Sequence, residues 1–211
     1  MENKHWKILF VLNFLFLLMP LFPFLPGPSK FSSGANAILS LFQFISMFSL
    51  ILFPLGLISH IRQRLRKKKN VEYFPFGALL VWTISLTIFI STNFLTQLLR
   101  GYARNMAIKN SSSLISSIES FKAKEKRYPS SFEELIPDYL KTIPEPNVMG
   151  INKYKYQNKD SSFNISFEQN VFFLFNYEVC IYDPKENHKA EGELKKLYDT
   201  GIKHWKFYIF D

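Results

Sequence analysis

Arg62-Gln63-Arg64-Leu65-Arg66-Lys67-Lys68-Lys69 stands between two long apolar stretches, about residues 37–59 before it and about residues 74–99 after it. A further apolar stretch, about residues 8–26, opens the chain. Each can supply the ~20 apolar residues that a helix needs to cross a hydrocarbon core of ~30 Å. None contains Asp, Glu, Lys, Arg or His. One such charge at the centre of a span costs about 2.5–3.5 kcal/mol on insertion scales, so nothing opposes insertion here. The first half of the chain therefore reads as three transmembrane helices, and the second half as a water-soluble domain.

The basic residues set the orientation. Lys4 and Lys7 precede the first span, whereas the connector from Gly27 to Asn36 carries only Lys30. Arg62, Arg64, Arg66, Lys67, Lys68 and Lys69 follow the second span and act as the topology-determining basic loop. Positive loops stay cytoplasmic, which puts the amino terminus and this loop inside and everything after Arg100 outside. The implied location is the cytoplasmic (inner) membrane. A signal peptide is the competing reading of the first span, with Ala35-Asn36-Ala37 resembling a cleavage site. The apolar stretch is longer than a signal core of about 7–15 residues, and that site lies far past its end, so a retained helix is expected. Pro20, Pro23, Pro26 and Pro28 should end or kink it.

A net charge of +9 over 211 residues suggests nucleic acid, but its distribution does not. From Arg100 onward 17 basic residues face 15 acidic ones. The excess is a topological signal, so membrane lipid is an expected partner and nucleic acid is not. Proton relays and ion paths need charges at membrane depth, which argues against a transporter or channel. Thr83, Thr87 and Ser91 recur at four-residue spacing in the third span and suit a helix–helix seam within one chain. The single cysteine, Cys180, cannot form an intramolecular disulfide and reads as a small buried strand residue.

After Arg100, Ala103, Ala107, Leu114, Ile118 and Phe121 fall on one helical face. The spacing predicts a helix running on from the third span, interruptible at Asn110-Ser111-Ser112-Ser113. Tyr128-Pro129-Ser130-Ser131-Phe132-Glu133-Glu134 has the spacing of a capping box and predicts a short second helix. From Ile151 the period becomes two. Tyr154 and Tyr156 open a strand, Asn158-Lys159-Asp160 a turn, and Phe163, Ile165 and Phe167 a second strand. Val171, Phe173, Phe175, Tyr177, Val179 and Ile181 read as one face of a single long strand, with Phe172 and Leu174 covering its other side. Asp183 to Thr200 reads as loop, with a helical turn around Glu193–Tyr198. Lys203 to Phe210 forms the last strand. The fold class expected is an α-helical membrane anchor, residues 1–100, plus a small α+β domain, residues 101–211, with its N-terminal helix packed on an antiparallel sheet.

The order of elements from about Ala103 to Tyr156 resembles the globular domain of the major pseudopilin of type II secretion. The likeness lies in Ile115-x-x-Ile118-Glu119-x-Phe121-Lys122, Arg127-Tyr128-Pro129-Ser130, Leu135-Ile136-Pro137-Asp138-Tyr139-Leu140, Ile143-Pro144-x-Pro146 and Tyr154-x-Tyr156. The resemblance implies a helix that continues from the membrane into an α+β head, here joined to a three-span anchor not typical of that family. Asp183, Glu186 and Asp199 are too scattered for the family's calcium loop, so no metal and no cofactor is expected.

His188 and His204 are the histidines beyond the spans. They read as a solvated loop residue and a strand residue, outside any metal-ligand or triad spacing. No catalytic residue is assigned. The expectation is a non-enzymatic interaction module with a protein partner, or self-association, through the outer domain. The alternatives are an envelope sensor or ligand-binding protein, and a membrane-tethered enzyme.

Overall fold

The structure, a computed structural model, describes residues 2–65, 76–159, 161–173 and 175–211. The side chains of Glu2 and Asn3 are not among those described. The chain forms three long apolar helical stretches and a separate five-stranded antiparallel sheet. It divides into two compact units, Met1–Phe22 with Ala37–Leu98, and Pro23–Asn36 with Leu99–Asp211.

In the first unit, helix α1 (Glu2–Leu18) gives way to a 3₁₀ segment, Met19–Phe24, where Pro20 and Pro23 remove backbone donors. Helix α2 (Ser32–Leu65) runs through Pro54 and ends with Arg62 and Arg64 in its last turn. Helix α3 (Phe76–Ile90) continues through a π-helical turn, Ser91–Leu95. All three stretches are long and apolar enough to cross a membrane.

The Thr83–Thr87–Ser91 stripe meets α1. Asn13 donates to Thr83 Oγ1 at 3.2 Å and accepts from Thr87 Oγ1 at 2.6 Å, while Ser91 Oγ donates to the Leu17 carbonyl at 2.6 Å. Asn93 donates to Ser46 Oγ at 2.9 Å. These bonds pair polar groups set within otherwise apolar helices. At Gly56 a Cβ would lie 2.8 Å from the Trp82 backbone nitrogen, so glycine permits close approach of α2 and α3.

In the second unit, helices α4 (Thr96–Asn110) and α5 (Ser112–Glu125) are separated at Ser111, whose hydroxyl donates to the Ile108 carbonyl at 2.7 Å. Ala103, Ala107, Leu114 and Ile118 are fully buried and Phe121 nearly so, the face the spacing predicts. The short second helix is instead one 3₁₀ turn, Phe132–Leu135, and Ser131 makes no capping hydrogen bond from its side chain. Seven residues lie between Pro129 and Pro137, which limits any helix there to about two turns.

The strands are β1 (Lys155–Asn158), β2 (Phe163–Phe172), β3 (Asn176–Tyr182), β4 (Tyr198–Asp199) and β5 (Trp205–Phe210), ordered β1-β2-β3-β5-β4. The single long strand expected from Val171 to Ile181 does not form. The chain reverses through Phe173 and Phe175, and β2 pairs with β3 as a hairpin with a register shift between Asn170 and Phe172. Phe173 takes φ 48°, a left-handed conformation that sequence rules assign to Gly or Asn. Phe172 is 47% exposed rather than covered, and Leu174 lies outside the described residues, as does Asp160 of the expected turn. No helical turn forms at Glu193–Tyr198, where Tyr198 and Asp199 pair with β5 instead.

Register fixes the interior. Ile165, Tyr182 and Trp205 line up across three strands, then Phe167, Cys180 and Phe207, then Gln169, Glu178 and Ile209. Phe163, Ile165, Phe167 and Cys180 are fully buried. The Tyr154 hydroxyl reaches the α4 carbonyl of Ala107 at 2.6 Å.

The connector Pro23–Asn36 belongs to this unit. Pro26 bridges Val148, Gly27 N donates to Asn147 O at 3.1 Å, Met149 N to Leu25 O at 3.0 Å, and Gly150 N to Pro23 O at 2.7 Å. Asn36 closes the contact by donating to the Gly150 carbonyl at 2.9 Å.

Candidate functional site

The third of these cross-strand rows, Gln169, Glu178 and Ile209, carries a charge. Gln169 and Glu178 are direct cross-strand partners, so their side chains emerge on the same face. Arg100 and Arg104 are one turn apart on α4, which brings both to that row. Arg104 Nη1 meets Glu178 Oε2 at 3.0 Å, and Gln169 Nε2 donates to Glu178 Oε1 at 2.7 Å. Gln169 also donates to the Arg100 carbonyl at 3.2 Å. The Arg104 guanidinium lies over the Phe207 ring at 3.9 Å. Burial pushes the Glu178 carboxyl above the ordinary carboxylate range, and Arg104 and the Gln169 hydrogen bond pull it back. With Glu178 only 2% exposed, this group braces helix and sheet and does not face solvent.

Beside it, on the connector side, a cleft of about 490 Å³ opens among three chain segments. Ser32, Ser33 and Asn36 form one wall, Gly150 to Lys155 a second, and Glu168 to Asn170 with Tyr177 the third. The pairing of β1 with β2 begins at Lys155–Ser166, so the chain before Lys155 parts from β2 at the cleft. Lys155 and Glu168 pair across it at 2.5 Å.

The remaining titratable cluster holds both histidines. The His188 side chain is 1% exposed, not solvated, and its Nε2 faces the His204 carbonyl at 3.0 Å. His204 precedes β5 in a turn at φ 67°, not within the strand, with its Nδ1 2.8 Å from Glu186 Oε1. Asp183 is buried between Lys159, at 3.2 Å, and the Lys185 amide, at 2.8 Å. These contacts pin the 183–188 loop onto the start of β5. Among the described residues no three His, Cys, Asp or Glu side chains converge to hold a metal ion. Cys180 is fully buried, and burial pushes its thiol well above the usual range, which holds it protonated.

Arg62 and Arg64 are exposed at the carboxyl end of α2, where cations complement the helix dipole. Arg66, Lys67, Lys68 and Lys69 lie outside the described residues. The buried Arg–Glu row and the cleft were not legible as sites, because their members come from segments far apart in sequence. The one local hint was Glu178, an acid inside an otherwise apolar strand.

No protein-family model, curated protein or solved structure matches this chain.

Proposed function

We propose that this is a three-span protein of the cytoplasmic membrane, with its amino terminus and basic loop inside, that displays the sheet unit outside as a non-enzymatic interaction module. Its role would be in assembly or docking within the cell envelope. The observation that carries the reading is a five-stranded sheet separate from three long apolar helical stretches. The clustered positive charge at residues 62–69 supports the orientation. The buried, protonated thiol of Cys180 and the inaccessible Glu178 carboxyl leave neither poised for chemistry on a substrate. The resemblance to pseudopilins supports the docking role.

A second reading, a ligand-binding protein of the envelope, is favoured by the polar cleft.

Position-specific labelling tests the orientation. In a Cys180→Ala background, a membrane-impermeant maleimide should label Lys196→Cys in intact cells and should label Lys67→Cys only after lysis. The reverse pattern overturns the orientation. Crosslinking in living cells from Lys196, exposed in the 183–200 loop, tests docking. Recovery of secretion or pilus-assembly components supports it, and recovery of the protein alone sinks it.

A further inference from the structure

We infer that the cleft bounded by Ser32–Asn36, Gly150–Lys155 and β2 is a saccharide-binding site. This rests on the ligand-binding reading of the sheet unit and names the class of ligand.

Its size suits a small solute, since sites for such ligands run from about 300 to 1,000 Å³ and this one measures about 490 Å³. As in most small-ligand pockets, the larger part of its wall surface is apolar and polar groups are set into it. Here ten of the eleven lining residues carry polar side chains, Gly150 being the exception. Carboxamides supplied by Asn36, Asn152 and Asn170, and hydroxyls supplied by Ser32 and Ser33, both donate and accept hydrogen bonds. A sugar hydroxyl also does both, so a ring bearing several of them can match such a surface without leaving a lone donor or acceptor.

Charge narrows the class. Lys155 and Glu168 neutralise one another across the wall, leaving Lys153 at the rim. Among the described residues no arginine fork lines the cleft to grip a phosphate. No aliphatic side chain among the described residues lines the cleft, whereas strand-addition sites use apolar recesses for specificity. Among the described lining residues Tyr177 supplies the aromatic surface, and its ring is held by stacking on Phe210 at 4.9 Å between centroids. A flat ring beside amides suits a pyranose, which has an apolar face and a hydroxyl edge.

The walls are tied before any ligand arrives. Asn36 bonds Gly150 O at 2.9 Å, Gly150 N bonds Pro23 O at 2.7 Å, and Gln169 bonds Glu178 at 2.7 Å. A site with fixed walls loses little entropy on binding.

The test uses the full chain in a detergent without a sugar head group. Saturation-transfer NMR is run with glucose, N-acetylglucosamine, its β-1,4-linked disaccharide and glucuronate. At least one should bind in the millimolar range or tighter. Asn152→Ala, at an exposed wall residue, should weaken it at least fivefold, and Ser33→Trp, at an exposed rim residue, should abolish it. Lys153→Ala should weaken glucuronate more than glucose. Unchanged burial of the Cys180 thiol against maleimide shows that each variant is folded. The inference is overturned if no probe binds, if Ser33→Trp binds as well as the parent, or if short peptides bind in place of sugars. Docking is scored separately, by in-cell crosslinking of Ser33→Trp. Envelope partners captured by a protein that binds no sugar sink the saccharide site and leave the docking module standing.

Discussion

Glu178 shares the inward face of β3 with Cys180 and Tyr182, and Arg104 on α4 is its counter-charge at 3.0 Å. Removing one partner of a buried pair strands the other, at a cost of about 3–5 kcal/mol. Arg104→Met should therefore destabilise the sheet unit by that amount, and adding Glu178→Leu should recover much of it. Cys180 makes the measurement simple. It is the only cysteine and is fully buried, so its rate of maleimide labelling in rising denaturant reports opening of this unit. Equal labelling of parent and Arg104→Met would show the pair to be inert. The pH dependence has a definite sign. An acid whose folded pKa is raised above its usual 4.5 favours the fold while protonated, and that contribution is lost as pH rises through the folded value. Melting of the parent relative to Glu178→Gln should therefore fall as pH is raised from about 4 to 7. A relative rise would mean that Arg104 outweighs burial. Nothing near Glu178 in the sequence names its partner, and Val179, only 7% exposed on the opposite face, blurs the period-two contrast that would have marked the inward side.

At the level of elements, the connector Pro23–Asn36 is part of the sheet unit and not a mere link between α1 and α2. Its backbone bonds to Asn147–Gly150 require close approach, and Gly150 permits it. A Cβ at Gly150 would lie 2.6 Å from both the Cβ and the carbonyl oxygen of Pro23. Gly150→Ala should cost about 1–3 kcal/mol, the range for forcing extra atoms into a packed contact. Gly34→Ala meets nothing within 4 Å and serves as the control, with no expected loss beyond experimental error. Thiol labelling of Cys180 reads both, and equal effects would show that the 23–36 contact does not support this unit. Helix α4–α5 was legible because one strip from Ala103 to Phe121 carries its burial at a single period. The connector was not, because prolines, Ser and Gly announce a loop without saying what the loop lies against. The β2–β3 hairpin was missed for the opposite reason, since its turn passes through Phe173 and Phe175 with no Gly, Asn or Asp to mark it.

For the whole molecule, the sheet unit is assembled from two stretches of chain, one running from Pro23 into the first turn of α2 and one following α3. Cutting the chain at Arg100, where the apolar run ends, removes Pro23–Asn36 from the sheet unit. Val148, fully buried and bridged to Pro26, then loses part of its cover. Full exposure of such a side chain costs about 1.5–3 kcal/mol, before the four ties at Asn147–Gly150 are counted. An excised fragment of residues 101–211 should accordingly melt below the same unit in the intact chain, and adding a peptide of residues 23–36 should raise its melting temperature. The carboxyl terminus is less forgiving. β5 lies between β3 and β4, so deleting Trp205 to Asp211 removes an interior strand, uncovers the buried Tyr182 row and leaves β4 without a partner. The truncated chain retains its three apolar stretches untouched. Its Cys180 should label without denaturant as fast as in the unfolded parent. A truncated chain that keeps Cys180 protected and melts cooperatively would show that β5 is an accessory strand and that the core closes on β1–β3 alone.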